Sequence, residues 1–588
     1  MIDNGNFVSR FIENAEKTPD KIALQLPEMD GQLCIGEESI SYGELSTLVG
    51  AYQKLWQEKG WQAGDRVIVI LKPSKDLYAI ALSLFSMGII AVFIDTGMGR
   101  KKIQMAIQDS NAKAIISLSA LIKLFWFIPA LWPLQRFAVD GQGLGYKNLS
   151  QQVSAIDVGQ PFSPISRSTN DHGLISFTSG STGRPKGADR THFSLIQQHL
   201  AIRDHWPDEI DDIDCPCFPV MVLHNLSCGM TTIMPKVDLA QPAAVDAKVV
   251  IEQIRQHNIT RLSGAPAYIT GLVSYLQQQD NDQQVVSEIK SIVVGGATVS
   301  VELAEGIRKA FPNADARIVY GSTEAEPISD VSIDEYLKAS SQTGDSLLGA
   351  SNPGASNLGA SNPGASNLGY LVGKVASQIE LLITNINESE LTEEALLRHR
   401  CKAGEIGEIL VSGDHVLKQY IDNPSANREN KIPRQNVAAT KAIWHRTGDC
   451  GYIDEQGRLW LTGRIKDVIA FQNTHLQPYP IEKSLDQLPG IVRSAMIQHV
   501  DQLTVFIQEN TQGISVLESE IRHILSEHIS SMGLEKIQLI MLDHMPVDGR
   551  HNSKIDRPLL REYLEKGLQT SVIKTNVIKI SEVQLLPL

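Results

Sequence analysis

The sequence predicts an α/β fold: a large N-terminal portion of parallel-rich sheets with flanking helices, then a small α+β domain at the C-terminus. Three observations carry this. β-Branched runs alternate with apolar segments of helical period along most of the chain, the pattern of parallel strands joined by helical crossovers. Gly-rich turns fall where those runs end, and ligands of such folds sit at the carboxyl ends of strands. Near Gly463 the character shifts to short helices and strands in mixed order.

Taken in order, Gly64 to Asp95 gives a strand (Val67 to Leu71), a helix-period segment and a second strand (Ile89 to Ile94), hence a β-α-β unit with parallel strands. Residues 249–276 read helix, short strand, turn, helix, and residues 288–311 read strand, Gly-Gly turn, helix. Beyond Gly463 the expected elements are helices over Pro480 to Gln487 and Val516 to Glu527, and strands over Arg493 to Gln498 and Leu503 to Gln508. The expected division is 1–464 and 465–588. Leu348 to Asn357 reads LGASNPGASN, and Leu358 to Asn367 repeats it letter for letter. Gly, Ala, Ser, Asn and Pro cannot bury a core, so 348–368 is expected to be a loop inserted at the surface.

Composition bounds the function. Hydrophobic residues make up 42% of the 588, enough to exclude global disorder. Lys and Arg number 53 against 67 Asp and Glu, a net charge of −14 that argues against broad nucleic-acid binding but leaves room for a local basic phosphate pocket. Six cysteines without a C-x-x-C pair read as reduced thiols of a cytoplasmic protein. The first residues mix charges and lack the apolar core of a secretory signal. The most apolar stretch, Ala120 to Pro133, is ALIKLFWFIPALWP; a membrane span needs about 20 residues. It reads as a buried or interfacial segment rather than a transmembrane one, with acyl-chain or peripheral membrane-surface contact as the alternative.

The chemistry concentrates in Ile175 to Ala188, ISFTSGSTGRPKGA. Glycines let backbone N–H groups approach phosphate oxygens, hydroxyls add donors, and Lys186 supplies point charge. The spacing is not that of a Walker loop. This stretch resembles the phosphate loop of the AMP-forming adenylating enzymes: acyl-CoA synthetases, peptide-synthetase adenylation domains and luciferases. Four further stretches resemble that family's motifs in the same order: IVYGSTE (Ile318 to Glu324), WHRTGDCGY (Trp444 to Tyr452), LTGRIKDV (Leu461 to Val468) and NSKIDR (Asn552 to Arg557).

The resemblance implies that a carboxylate attacks the α-phosphate of ATP, giving an acyl-adenylate and pyrophosphate, with Mg²⁺ as the metal. Catalysis is then mostly positioning and electrostatics. It implies that Thr178, Ser179, Gly180, Ser181, Thr182, Gly183 and Lys186 hold the β- and γ-phosphates, with Thr323 beside them. Glu324 is the expected Mg²⁺ ligand, with Glu326 as the rival carboxylate. Tyr320 stacks on adenine, Gly296 lets the backbone approach the base, and Asp449, assisted by Arg464, accepts the ribose hydroxyls. Lys554 bridges the acid and the α-phosphate, and Lys466 is the hinge to a mobile C-terminal domain. A turn role for Asp449 and a solvated role for Lys554 are the bland alternatives. His224, in FPVMVLHNLSCGMT, is either near the acyl carboxylate or a packed histidine.

Within the family, Phe218 to Val245, YGSTEAEPIS and MPVDGRHNSKIDR look most like the β-lactone synthetases of olefin biosynthesis. That likeness implies a fatty or 3-hydroxy fatty acid substrate whose β-hydroxyl displaces AMP within the same molecule. The other acceptors are CoA and a carrier-protein thiol. Asn473 stands where CoA ligases tend to carry a glycine, which leaves CoA use uncertain. A non-catalytic nucleotide- or acyl-binding relative is the reading from a different class.

Overall fold

The first β-α-β unit shows how local chemistry sets the fold. Arg66–Ile70 is a buried β-branched strand. Ser74 then caps the helix Lys75–Met87 by accepting the Leu77 N–H, and Gly88 ends it in the left-handed conformation. Ile90–Ile94 returns parallel to the first strand. Both strands lie within one residue of their expected bounds. The computed structural model describes residues 5–30, 33–156, 163–168, 170–178, 184–209, 211–239, 241–278, 287–347, 369–385, 391–471, 474–500, 502–509, 518–528, 537–547, 554–565 and 577–580. The sequence repeat therefore lies outside the described residues, as do Ser179, Gly180, Ser181, Thr182, Gly183 and Asn473.

A seven-stranded sheet runs Lys147–Asn148, Gln135–Ala138, Ala114–Ser117, Arg66–Ile70, Ile90–Ile94, His172–Thr178, Lys186–Thr191. Every pair is parallel except the last. A larger sheet has a parallel centre of Ile22–Asp30, Thr231–Ile233, Ile213–Pro216, Arg261–Gly264, Ser291–Gly295 and Asp315–Ser322. It continues as an antiparallel wing through Ala325–Ser332, Tyr370–Val375, Arg458–Arg464, Ile443–Ile453, Gly407–Gly413 and Ile379–Thr384. Helices Ala247–His257, Pro266–Gln278 and Val301–Ala310 pack an apolar cluster against the parallel centre, in the order read from residues 249–311.

After Arg464 the chain leaves this sheet. A four-stranded sheet follows, in which Ile491–His499 pairs antiparallel with Gln502–Glu509 and Ile537–Leu542 and Val577–Ile580 add in parallel. Alternate residues bury opposite faces: Met496, Val505 and Leu539 pack with the helices Pro478–Asp486 and Glu518–His528, while Ala495, Phe506 and Ile540 pack with Leu560 of Arg557–Glu565. The expected C-terminal strands and helices are all present, displaced by one or two residues at their ends. Arg557 ties this unit together. Its Nη2 donates to Glu482 at 2.7 Å and its Nη1 to the Met496 carbonyl at 2.9 Å, and its Nε lies 3.4 Å from Asp467. No helix among the described residues is long and apolar enough to cross a membrane.

The C-terminal unit docks on the wing of the large sheet through Lys483. The ammonium donates to the Gly369 carbonyl at 2.9 Å and lies 5.9, 5.6 and 5.9 Å from the ring centroids of Tyr336, Tyr370 and Trp460. Burial pushes the Lys483 amine down to about 8. The docked form therefore binds fewer protons than a form with Lys483 in water, so raising pH from about 8 towards 10.5 favours docking. We predict that wild type gains stability relative to Lys483→Met over that range, read from denaturation midpoints at a series of pH values. A difference between the two proteins that does not change with pH would refute the lowered Lys483 amine.

Candidate active site

The antiparallel pair His172–Thr178 and Lys186–Thr191 holds the two ends of the phosphate-loop stretch, with Thr178 opposite Lys186 in register. The second strand is buried although it carries Lys186, Asp189 and Arg190. Asp189 is balanced by His172 Nδ1 at 2.8 Å and by the Gln419 amide at 2.9 Å. Arg190 Nη2 donates to the Thr323 carbonyl, while its Nη1 is buried with no hydrogen-bond partner among the described residues. The loop strand and the Y-G-S-T-E turn are thus joined through a guanidinium.

Glu324 follows that turn, between Asp315–Ser322 and Ala325–Ser332. Tyr420 Oη donates to its Oε1 at 2.8 Å. The ammonium groups of Lys186 and Lys431 lie 5.2 and 5.0 Å from the centroid of the same tyrosine ring. Burial would raise the Glu324 carboxyl, but His445, Lys431 and the Tyr420 hydrogen bond outweigh it and hold the group at about 2. Burial pushes His445 itself down to about 3. At neutral pH that imidazole is uncharged, and the amine facing Glu324 is Lys431. Burial brings Lys431 down to about 7, with Lys418, Arg190 and Lys186 adding to the shift and Glu324 opposing it. Its ammonium also donates to the Leu417 carbonyl at 2.6 Å. The rival carboxylate, Glu326, is exposed. An ionised, oriented carboxylate is the hard-oxygen ligand Mg²⁺ requires, and Glu324 fits that role; the metal would supply charge neutralisation on the phosphate oxygens.

A second group forms at the junction of Ile443–Ile453 and Arg458–Arg464. Asp449 and Arg464 are cross-strand partners. Tyr320 Oη donates to Asp449 Oδ2 at 2.7 Å, and Arg464 Nε lies 3.2 Å from Oδ1. Gly296 has a positive φ of 86°, a conformation that disfavours side chains, and an added Cβ there would touch Phe218 at 3.8 Å. Tyr320, Asp449 and Arg464, separated by up to 144 positions, are therefore one constellation. Lys554 is exposed on the C-terminal unit, beside the bridge that pairs Val547 with Ile555, and Lys466 is exposed in the turn Ile465–Asp467.

His224 is buried on the helix Met221–Cys228. Its Nδ1 is 3.0 Å from His199 Nδ1, and its Nε2 is 3.5 Å from Cys228 Sγ. These are metal-ligand types, all within 4.8 Å of one another. Burial first pushes both imidazoles down: His199 to about 4, with Arg10 and Arg203 adding to it, and His224 well below its usual value, with His199, Arg261 and Arg203 adding to it. The arrangement is that of a neutral hydrogen-bonded histidine pair with Cys228 beside it.

Sequence reading did not single out Arg190, Tyr420 or Lys431. Arg190 carries a signal, a charged residue on a strand that should be apolar. Tyr420 and Lys431 have none, because they reach Glu324 only through the tertiary path of the chain after Gly407–Gly413.

The chain belongs to the AMP-binding enzyme family, whose model matches residues 11–421. It is an AMP-forming acid ligase that uses ATP. The olefin beta-lactone synthetase of Stenotrophomonas maltophilia is 26% identical over 582 residues, covering 96% of this chain and 99% of that protein. The olefin beta-lactone synthetase of Xanthomonas campestris pv. campestris is 26% identical and covers 95% and 98%. Among solved structures, ATP-bound MatB from Rhodopseudomonas palustris shares the fold with a TM-score of 0.73 at 22% identity, covering 95% of this chain and 99% of that one.

Removing the Tyr420 hydroxyl leaves a half-buried carboxylate one charge-assisted hydrogen bond short, worth about 1.5–3 kcal/mol. We predict that Tyr420→Phe lowers kcat/KM for ATP by roughly tenfold or more and raises the Mg²⁺ concentration needed for half-maximal rate, both read by ATP–pyrophosphate exchange. An unchanged Mg²⁺ requirement would detach Tyr420 from Glu324. Lys431→Met is expected to weaken ATP binding while sparing AMP, as measured by calorimetry; equal losses for both ligands would mark a structural role only.

Proposed function

We propose that this ligase activates a fatty or 3-hydroxy fatty acid and closes a β-lactone. One observation carries the reading: two olefin beta-lactone synthetases align with the chain over nearly the whole length of both partners. The site residues support the first half-reaction. A carboxylate oxygen attacks the α-phosphorus of ATP and pyrophosphate leaves. Lys186, Arg190 and Lys431 oppose the negative charge on the departing phosphates, and Thr178 with residues 179–183 supplies hydroxyl and backbone donors. Thr323 sits between Arg190 and Glu324, Glu324 holds Mg²⁺, and Asp449 with Arg464 and Tyr320 holds the nucleoside against the backbone at Gly296. Lys554 offsets the repulsion between the acid and the α-phosphate, which requires the C-terminal unit 465–588 to turn about Lys466 towards the phosphates. His224 belongs to the wall of the acyl site.

In the second half-reaction the β-hydroxyl oxygen attacks the acyl carbonyl carbon, its proton is released, and AMP departs. Both reacting groups belong to one molecule, so the step gains effective molarity and needs no second substrate. CoA and a carrier-protein thiol remain the alternative acceptors, and the cytoplasm is the compartment that suits the chemistry.

Purified protein given ATP, Mg²⁺ and a panel of fatty and 3-hydroxy fatty acids, with and without CoA, tests this by product mass. We expect AMP and β-lactone from the 3-hydroxy acids without CoA. Acyl-CoA with no lactone would remove the lactone reading, and no AMP from any acid would remove the fatty-acid reading. Lys554→Ala is expected to lose adenylation while keeping ATP affinity; unchanged turnover would refute its role.

A further inference from the structure

The segment Ala120 to Pro133 is neither a span nor a buried element. Leu131 and Leu134 anchor it on the core of the seven-stranded sheet, with Ile128 and Ala130 packed alongside. Held in that way, Leu124, Phe127 and Trp132 remain 47, 67 and 58% exposed. Leu124 and Phe127 lie on the short helical turn Lys123–Phe127, and Trp132 follows directly on the turn Pro129–Leu131. They are presented by a packed scaffold.

The neighbouring helix, Arg100–Ser110, opens with Arg100, Lys101 and Lys102. Its first turn contains no acidic residue, and its N-terminus has no side-chain cap. Three cations at the positive end of a helix dipole contradict the local preference, which is for acids. Departures from a local rule of this kind are expected at functional sites. Arg100 Nη2 donates to the Phe127 carbonyl at 2.8 Å, which joins the start of this helix to the loop that carries the apolar side chains. Lys123 is exposed within the same loop. From Arg100 to Arg136 the sequence holds six Lys and Arg against one acid, Asp109, in a chain whose net charge is −14. Asp109 is itself paired with Arg184 at 2.7 Å. The local sign therefore opposes that of the molecule.

We propose that this face, formed by the start of Arg100–Ser110 and the loop from Leu118 to Leu134, docks on the surface of an anionic phospholipid bilayer. Phe127, Trp132 and Leu124 enter the interfacial region, where an amphipathic ring is at home. Arg100, Lys101, Lys102 and Lys123 meet the headgroup phosphates. The attraction is confined to this face, because the rest of the acidic molecule is repelled by the same surface. Three exposed apolar side chains and four cations give reversible attachment. The surface does not depend on which acid or acceptor the enzyme uses.

The test is co-sedimentation of the full chain with phosphatidylcholine vesicles prepared with and without phosphatidylglycerol, at low and high salt. We expect binding to the anionic vesicles, weakened by salt, and at least about tenfold weaker binding to pure phosphatidylcholine. Lys101→Glu with Lys102→Glu, and separately Phe127→Ser with Trp132→Ser, should each reduce binding by roughly tenfold or more. Neither pair belongs to the catalytic machinery, so ATP–pyrophosphate exchange should be unchanged in both and serves as the check on folding. Absence of wild-type binding to anionic vesicles would overturn the proposal, as would binding indifferent to both substitutions. Retention on RNA or an acidic protein that the aromatic variant does not weaken, without vesicle binding, would assign the cations to a different partner and equally overturn it.

Discussion

Keeping Glu324 ionised where it stands is the constraint from which the arrangement of the site follows. A carboxylate removed from bulk water without partners takes up a proton. Here the cations arrive from different parts of the fold. Lys186 and Arg190 come from the edge strand of the seven-stranded sheet, Glu324 from a hairpin of the large sheet, and Tyr420 and Lys431 from the chain beyond Gly407–Gly413. Backbone contacts run along the same seam: Ile421 donates to Gly187 at 2.9 Å and Leu417 to the Glu324 carbonyl at 2.7 Å. The charge cluster therefore holds the two sheets in register as well as defining a ligand site. Deleting one partner of such a buried set costs more than the pair contributes, because the remaining charge is left uncompensated.

The alternation of strands and helices was legible because periodicity is local; the β-α-β unit at Gly64 and the C-terminal elements fall within a residue or two of their expected ends. Tyr320, Asp449 and Arg464 could be named from motif likeness, although nothing in their spacing says that one hydroxyl and one guanidinium share a carboxylate. Lys431 shows the limit. A lysine in the run NKIPRQ reads as solvated, and only the tertiary path buries it opposite Glu324. His224 shows another, since its partner His199 lies on a separate helix and a lone histidine in a sequence does not reveal a pair. Ala120 to Pro133 fits the interfacial reading, with Ile122 and Leu131 buried and Leu124, Phe127 and Trp132 exposed: composition gives the amount of apolar surface, and packing decides which part of it faces outward.

The Asp449 carboxylate enters the description already occupied at both oxygens. A ribose that approaches it must displace Tyr320 from one oxygen or share Arg464 at the other. Nucleoside capture is then an exchange of hydrogen bonds between equals, and the net free energy of such exchanges is small. If the ribose meets Asp449 as proposed, discrimination between ATP and AMP falls to the phosphate end, to Lys186, Arg190 and Lys431 in their proposed roles.

The bond from Lys483 to the Gly369 carbonyl also bears on the strand that follows the sequence repeat. Gly369 is the first described residue after the duplicated decapeptide, and Tyr370–Val375 begins directly behind it. That strand is anchored at its leading end by the ammonium and by the Tyr370–Tyr479 edge contact at 5.8 Å. Its leading end is thereby held by the C-terminal unit, while its register is set by pairing with Ala325–Ser332 and Arg458–Arg464. Tyr370–Val375 thus keeps its place in the sheet through contacts made by the C-terminal unit as well as through its own ladder.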